Sequence, residues 1–260
     1  MDEPSIAPSI APTIALVRAS LFFARSIRAA AELGTLLDVL CSDDDLAPRR
    51  WGPAVGVHDP FERAAVLTHA ASSTDDDFRL RLRRVAPLAV EIEAFVGPAG
   101  LGVVALEIRG RIDAGSAQRL FAAIDRTATC LPLEFGAVDV RFEVQPTATH
   151  LLAGGGVHVG TYVKWGPPAP LARTYFGPRV VALVGGPTVF DHCGGVVRDA
   201  GGVTIVDLVD APWTSDPVAL RRAQARVDRS LRLLGILARP AGTARTIAGP
   251  RWLPPPAPEG

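Results

Sequence analysis

The chain has 260 residues, of which 48% are hydrophobic and 21% are charged. This is the composition of an ordinary globular protein, and it excludes wholesale disorder and a fibrous structure. The 27 basic and 27 acidic residues cancel, which argues against nucleic-acid binding by a strongly basic domain. Every basic residue except Lys164 is arginine, a skew typical of GC-rich bacterial genes, so the number of arginines by itself carries little functional weight.

The sequence predicts a cytoplasmic location. No stretch of 18 apolar residues is present, which excludes a membrane-spanning helix. The acidic start and the prolines of the first twelve residues do not resemble a signal peptide. Cys41, Cys130 and Cys193 are odd in number and widely spaced, so they indicate free thiols in a reducing compartment rather than a disulfide framework.

Both ends of the chain have the composition of flexible tails. Residues 1–12 repeat Ser-Ile-Ala-Pro, and residues 240–260 are rich in proline. Between these tails, residues 13–239 are predicted to form a single α+β domain.

The first part of this domain mixes strand and helix patterns. Residues 13–23 are rich in β-formers and predict a strand. Residues 25–40 place apolar side chains on one helical face and predict a helix. Residues 46–60 predict a loop around Trp51, and residues 62–71 predict a short helix.

The clearest pattern of the chain is strict alternation of apolar and charged residues over three successive segments. The charged members are Arg79, Arg81, Arg83, Glu91, Glu93, Glu107 and Arg109. Period-two alternation indicates strands with one solvent-exposed face, and the short turns between them predict an antiparallel meander. Its outer face is expected to place arginines beside glutamates, an arrangement that stabilises neighbouring strands.

A helix and two strands are predicted next. Residues 116–131 carry an apolar stripe, and Asp113 or Ser116 can cap the start of this helix. Residues 138–144 alternate again, with Val138, Val140, Phe142 and Val144 predicted inward and Asp139, Arg141 and Glu143 outward. After a glycine turn at 154–156, residues 157–165 predict a further strand.

The last part predicts a compact unit of helix, hairpin and helix. Residues 179–184 predict a short helix, and residues 196–209 predict a hairpin that turns at Gly201 and Gly202. Asp216 and Pro217 predict the start of a final amphipathic helix. Helices do not alternate with single strands, so the pattern favours an α+β fold, with a mainly antiparallel mixed sheet and helices packed on one face.

One segment resembles an enzyme site. Asp191, His192 and Cys193 precede two glycines, and a cysteine beside a histidine can act as a nucleophile. Sequence neighbours point in different directions, however, so we keep an enzyme centred on this loop only as an alternative. The spacing of His150 and His158 matches no metal-ligand pattern, and no glycine loop has a phosphate-binding spacing. No catalytic residue, metal ligand or cofactor is therefore predicted.

The C-terminal part resembles a known group of proteins. The residues that carry the resemblance are Thr174–Gly177, Gly185–Gly186, Gly201–Gly202, Thr204–Leu208 and Asp210–Pro212, together with the capped final helix. Over about residues 174–238 this arrangement is similar to an uncharacterised bacterial family related to the type VI secretion immunity proteins. The resemblance implies an α+β protein, without catalytic residues, that binds and neutralises a toxin.

The sequence therefore predicts a protein-binding module. Its function would be that of an immunity protein, a toxin inhibitor that acts by stoichiometric binding to a protein partner, the cognate toxin. Aromatic and arginine side chains most often anchor such interfaces. The predicted partner-binding residues are Trp51, Trp165, Tyr175, Trp213, Arg222 and Arg226. A structural component of a bacterial assembly is a further alternative.

Overall fold

The computed structural model describes residues 13–53, 56, 59–143 and 157–237. The predicted tails at 1–12 and 240–260, the predicted turn at 154–156, and the position of Val144 lie outside these ranges. The metal-ligand candidate His150 lies outside them as well.

Within the described ranges, ten strands form one sheet, and all neighbouring pairs in it are antiparallel. They are β1 (Ile14–Phe23), β2 (Arg50–Gly52), β3 (Asp59–Pro60), β4 (Arg79–Arg84), β5 (Ala89–Val96), β6 (Gly102–Ile112), β7 (Leu133–Phe142), β8 (Arg173–Phe176), β9 (Val196–Ala200) and β10 (Val203–Asp207). Their order across the sheet is β3-β2-β4-β5-β6-β1-β7-β8-β10-β9. The predicted α+β fold with a mainly antiparallel sheet is confirmed, and the meander is β4-β5-β6.

The first strand of the chain lies in the middle of the sheet. Val17 of β1 pairs with Ile108 of β6 on one side and with Val140 of β7 on the other. All three side chains are buried. The meander and the C-terminal unit are therefore joined through one strand that is far from both in sequence.

Six α-helices lie within the described ranges. They are α1 (Ala30–Cys41), α2 (Arg63–Ser72), α3 (Ala114–Cys130), α4 (Val159–Trp165), α5 (Pro178–Leu183) and α6 (Pro217–Leu233). None of these helices has both the length and the apolar composition that crossing a bilayer requires.

Helices cover both faces of the sheet, which differs from the expectation that they pack on one face. α1 and α3 lie over the face that carries Ala19 and Leu106, together with apolar residues of β5. On the opposite face, the ring of Tyr162 in α4 stacks on Phe135 of β7 with the centroids 5.1 Å apart. A Cβ atom at Gly195 would touch both Val206 of β10 and a valine of α6, so α6 lies on this opposite face too.

The reason for the second helical layer is visible in the strands themselves. Phe135 and Phe176 face away from α1 and α3, and both are fully buried. Strands that are apolar on both sides require cover on both faces. The C-terminal half of the sheet is therefore enclosed, whereas the N-terminal half is covered on one face only.

The strand predicted over residues 157–165 is wrong, because α4 occupies residues 159–165. The alternating valines of this segment favour a strand by local propensity. As a helix, the segment places Tyr162 between the rings of Phe22 and Phe135, at centroid distances of 5.2 and 5.1 Å. This packing outweighs a propensity difference that is small for each residue.

The other C-terminal elements agree with the sequence. The hairpin is β9–β10 with its turn at Gly201 and Gly202, and the short helix is α5. The carboxylate of Asp216 accepts hydrogen bonds from the amides of Val218 and Ala219, at 2.7 and 3.0 Å, and so caps α6. The loop predicted over residues 46–60 contains the short strands β2 and β3, and β8 is a strand that the pattern did not predict.

Asp113→Ala should lower the free energy of unfolding by about 1 kcal/mol, because Asp113 caps α3. Its carboxylate accepts a hydrogen bond of 2.8 Å from the amide of Ser116. Chemical denaturation would measure the loss. Asp113→Asn is the control, since asparagine is an equally good cap and should retain most of the stability. Equal losses in the two variants would contradict the capping role.

The same cap predicts a pH dependence. The carboxylate of Asp113 accepts hydrogen bonds from the amide and the hydroxyl of Ser116, and these bonds, the amide bond first, lower the pKa of Asp113 below the usual 3.8. Because the folded pKa is the lower one, this contribution is complete above the unfolded pKa and is lost as the pH falls through the folded pKa. The stability difference between the wild type and Asp113→Asn should therefore change only in the acid range.

Candidate functional site

The strands β4, β5, β6 and β1 present one face that carries charged side chains to the solvent. The register aligns Arg83, Glu91, Glu107 and Arg18 in one row across the four strands, and Arg81, Glu93, Ala105 and Ser20 in the next. We call these eight residues, with Arg79 and Arg109 beside them, the open face. The opposite sides of the same strands form the core under α1 and α3, so the alternation predicted from the sequence positions this site.

On the open face, the charges of β4 and β5 are joined by ion pairs that are long and at least partly exposed. Arg81 Nη2 lies 3.4 Å from Glu93 Oε1, and Arg83 Nε lies 3.6 Å from Glu91 Oε1. The side chains of Arg79, Arg81 and Arg83 are 49%, 42% and 48% exposed. Exposed pairs of this kind contribute about 0–1 kcal/mol each, so these arginines are held only weakly.

A depression of about 330 Å³ lies at the centre of the open face. Its floor is low because Ser20 and Ala105 have small side chains, and its walls are formed by arginines, by glutamates and by Gly56 from the segment between β2 and β3. Within the described ranges, none of the residues that line it belongs to a helix. The depression is therefore a place where the side chain of another molecule can approach the sheet.

Glu107 is the most firmly held charge of this surface. Arg18 Nε donates a hydrogen bond of 2.8 Å to Glu107 Oε2, and the Arg109 guanidinium pairs with the same carboxylate. Burial raises the pKa of Glu107, but the hydrogen bond and charge of Arg18, with those of Arg109, outweigh it and hold the pKa below its usual value. The open face carries five guanidinium groups against three carboxylates, so its net charge is positive.

Asp139 of β7 lies next to this surface and corrects a sequence prediction. It pairs with Arg18 in the sheet register, and it was predicted to point outward into solvent. The structure buries it to 3% exposure, with Arg141 Nε 3.6 Å from its Oδ2. Burial raises the pKa of Asp139, and the charges of Arg141 and Arg18 offset this only in part. The second helical layer covers this face of the sheet at β7, where α4 packs on Phe135, so the polar side of β7 is not exposed.

A second charged cluster lies on the α1–α3 side and is buried. Arg173 donates hydrogen bonds of 2.5 and 2.9 Å to Asp207 and of 3.0 Å to Asp125 of α3. The hydroxyl of Tyr175 donates a bond of 2.7 Å to the same Asp125. The Arg173 guanidinium lies 4.8 Å from the ring centroid of Phe121. This cluster joins α3 to the C-terminal strands and has little access to a ligand.

The predicted aromatic anchors are dispersed rather than gathered. Trp165 is 37% exposed, whereas Trp51 and Trp213 are half-buried against His69 and Phe121. Tyr175 has no exposed surface, because it lies in the buried cluster described above, and this removes it from the residues that can touch a partner.

The predicted arginine anchors lie on α6, which covers the same face of the sheet as the open face but over β10 rather than over β4, β5 and β6. Arg222 is exposed. Arg226 Nε donates a hydrogen bond of 3.0 Å to the carbonyl of Gly194, so it also holds the loop before β9. The arginines of β4 are not among the partner-binding residues that the sequence predicts. Their alternation is the strongest signal in the chain, but cross-strand ion pairs explain it equally well.

The Asp191–Cys193 loop does not assemble an enzyme site within the described residues. His192 is exposed on a turn, whereas Cys193 is fully buried and its Sγ accepts a hydrogen bond of 3.4 Å from the amide of Gly195. Burial raises the pKa of the Cys193 thiol, which opposes formation of a thiolate nucleophile. Asp207 is bound to Arg173 and is not available to this loop. Across the same residues, no cluster of three metal-ligating side chains occurs.

The chain resembles a known protein in its fold rather than in its sequence. No protein-family model matches the chain, and no curated protein matches it. Among solved structures, the fold is similar to that of the Pseudomonas aeruginosa T6SS protein PA0821, with a TM-score of 0.58 and 12% sequence identity. The match covers 96% of this chain and 84% of that one. The two proteins therefore share the architecture of nearly the whole chain, although their sequences have little in common.

Proposed function

We propose that this protein is a protein-binding module of type VI secretion that neutralises a toxin by stoichiometric binding. The observation that carries the proposal is the open face, a charged surface on rigid strands that no helix among the described residues covers. Sites on sheets hold their side chains more firmly than sites on loops, which suits recognition of one partner. Two further observations support this proposal. Residues 174–238 resemble immunity-related proteins, and the fold is shared with a T6SS protein.

The enzyme alternative has less support. A Cys–His nucleophile requires both side chains in hydrogen-bond reach and an accessible thiol. Cys193 is buried and is bonded within its own loop. The chemistry that the open face offers is charge-assisted hydrogen bonding by arginine, which recognises a partner without transforming it.

Purification of the protein with the product of a neighbouring toxin gene tests this proposal. Light scattering should show a complex of fixed stoichiometry, and dissociation should return a toxin of unchanged mass and full activity. Inactivation of many toxin molecules by one copy of the protein would indicate an enzyme. Self-assembly into a large particle without toxin binding would favour the structural-component alternative.

Cys193→Ala should leave toxin binding within about tenfold of the wild type, or about 1.4 kcal/mol. The thiol is buried away from the open face, so its removal affects packing rather than recognition. Titration calorimetry with the toxin would measure the affinity, and Cys130→Ala, at an exposed thiol, is the control. Abolished function in a folded Cys193→Ala protein would instead favour the enzyme reading.

A further inference from the structure

The arginines of β4 form a regular ridge along the edge of the open face. Arg79, Arg81 and Arg83 alternate with buried leucines, so their side chains all leave the same side of the strand. Successive members of such a row are about 6.8 Å apart, because each strand residue advances about 3.4 Å. We call these three residues the arginine ridge.

The ridge is only partly neutralised by its neighbours. Glu93 is shared between Arg79 and Arg81, at 3.3 and 3.4 Å, and Glu91 lies 3.6 Å from Arg83. Arg81 Nε is shielded from solvent and has no hydrogen-bond acceptor in the described part of the chain. Because this atom is shielded, a partner can reach Arg81 only through the exposed part of its guanidinium group, which lies 3.4 Å from Glu93 Oε1.

We propose that the arginine ridge binds an extended acidic segment of the partner protein, with a carboxylate at every second residue. This inference rests on the proposed function and names the chemistry of its partner. Alternate side chains of an extended segment recur at about 6.8 Å, which is the spacing of the ridge. Each carboxylate can therefore accept charge-assisted hydrogen bonds from one guanidinium, and the central one faces the exposed part of Arg81.

The depression beside the ridge supports the same geometry. It lies between the ridge and Arg18, over the small side chains of Ser20 and Ala105. A segment that lies along β4 can place its other side chains there without displacing the sheet. The ion pairs already present are exposed and weak, so exchanging Glu91 or Glu93 for a partner carboxylate costs little.

Titration calorimetry at low salt with two synthetic peptides tests this inference on the full chain. One peptide consists of Glu-Thr repeats, and the other has the same composition with all glutamates in one block. The repeating peptide should bind more tightly, because only its carboxylates match the ridge spacing in an extended conformation. A single-stranded oligothymidine is a third probe, since arginine rows also bind phosphates.

Paired variants locate the binding. Arg81→Gln with Arg83→Gln should lower the affinity for the repeating peptide by about tenfold or more. Arg221→Gln with Arg222→Gln on α6 should leave that affinity within about twofold of the wild-type value. The inference is overturned if the repeating peptide does not bind, if the block peptide binds equally well, if the ridge variant binds as the wild type does, or if the oligonucleotide binds more tightly than the peptide.

These outcomes are distinct from failure of the proposed function. If a toxin forms a stoichiometric complex but neither peptide binds, the proposed function is supported and the proposal of an acidic segment is rejected. If the repeating peptide binds through the ridge but no toxin forms a complex, the immunity function is rejected and the specificity of the ridge for acidic segments is supported.

Discussion

Arg173→Ala should lower the free energy of unfolding by about 3–5 kcal/mol, because it breaks a buried ion pair. The side chain is 5% exposed and its partner Asp207 is 3% exposed. Removing the guanidinium leaves the Asp207 carboxylate buried without its main counter-charge. It also removes the bonds to Asp125 and the contacts with Phe121 and Trp213.

The control is Arg198→Ala in the same cluster. Arg198 contacts Asp125 at 3.0 Å and Asp207 at 3.6 Å, but its side chain is 37% exposed. Water can replace it, so the loss should be much smaller than for Arg173. Chemical denaturation monitored by circular dichroism gives both values. Equal losses in the two variants would show that burial does not determine how much Arg173 contributes to the free energy of unfolding.

A double substitution separates the net contribution of the Arg173–Asp207 ion pair to the free energy of unfolding from the cost of leaving one charge of the pair buried alone. Arg173→Met with Asp207→Leu removes both buried charges and keeps apolar volume. It should be less destabilising than Arg173→Ala alone, because no carboxylate is left buried without a partner. A double variant that is less stable than Arg173→Ala would contradict this account of the cluster.

Arg81→Glu with Arg83→Glu should weaken toxin binding by about 100-fold or more, or at least about 2.7 kcal/mol. Both substitutions reverse charge on the arginine ridge, so they remove attractive contacts and add repulsion toward an acidic partner. The side chains are on the exposed side of β4, and the buried leucines beneath them are unchanged. Surface plasmon resonance would give the affinity and the association rate.

The matched control makes the same change of charge on α6, which lies over β10 at the other end of the same face of the sheet. Arg221→Glu with Arg222→Glu alters two exposed arginines of α6. If the open face is the binding surface, this variant should bind within about threefold of the wild type, since screening weakens charges that lie more than about 10 Å from the interface. A large loss only in the α6 variant would restore the arginine anchors predicted from sequence.

Local patterns predicted most of the elements. Alternation in β4, β5 and β6 gave both the meander and its charged side, and Asp216 with Pro217 gave the start of α6. These features depend on residues close together in sequence. The segment of α4 was mispredicted because its packing partners, Phe22 and Phe135, belong to strands distant from it.

The open face and the Arg173 cluster could not be predicted from local patterns, because both are formed by strands that are far apart in sequence. Arg18 joins the open face only because β1 is inserted between β6 and β7. Alternation predicts that Asp139 points into solvent, but it is buried because the second helical layer covers this face of the sheet at β7. Arg173, Asp207 and Asp125 are separated by many residues, so their cluster was invisible before the strands were placed.

Arginine footprinting is the most direct test that the open face is the binding surface. A dicarbonyl reagent modifies accessible guanidinium groups, and mass spectrometry reads each position in the free protein and in its toxin complex, with no substitution needed. The account predicts that Arg79, Arg81 and Arg83 are protected in the complex while Arg221 and Arg222 react as they do in the free protein. Unchanged modification of the ridge, with protection of the α6 arginines, would contradict it.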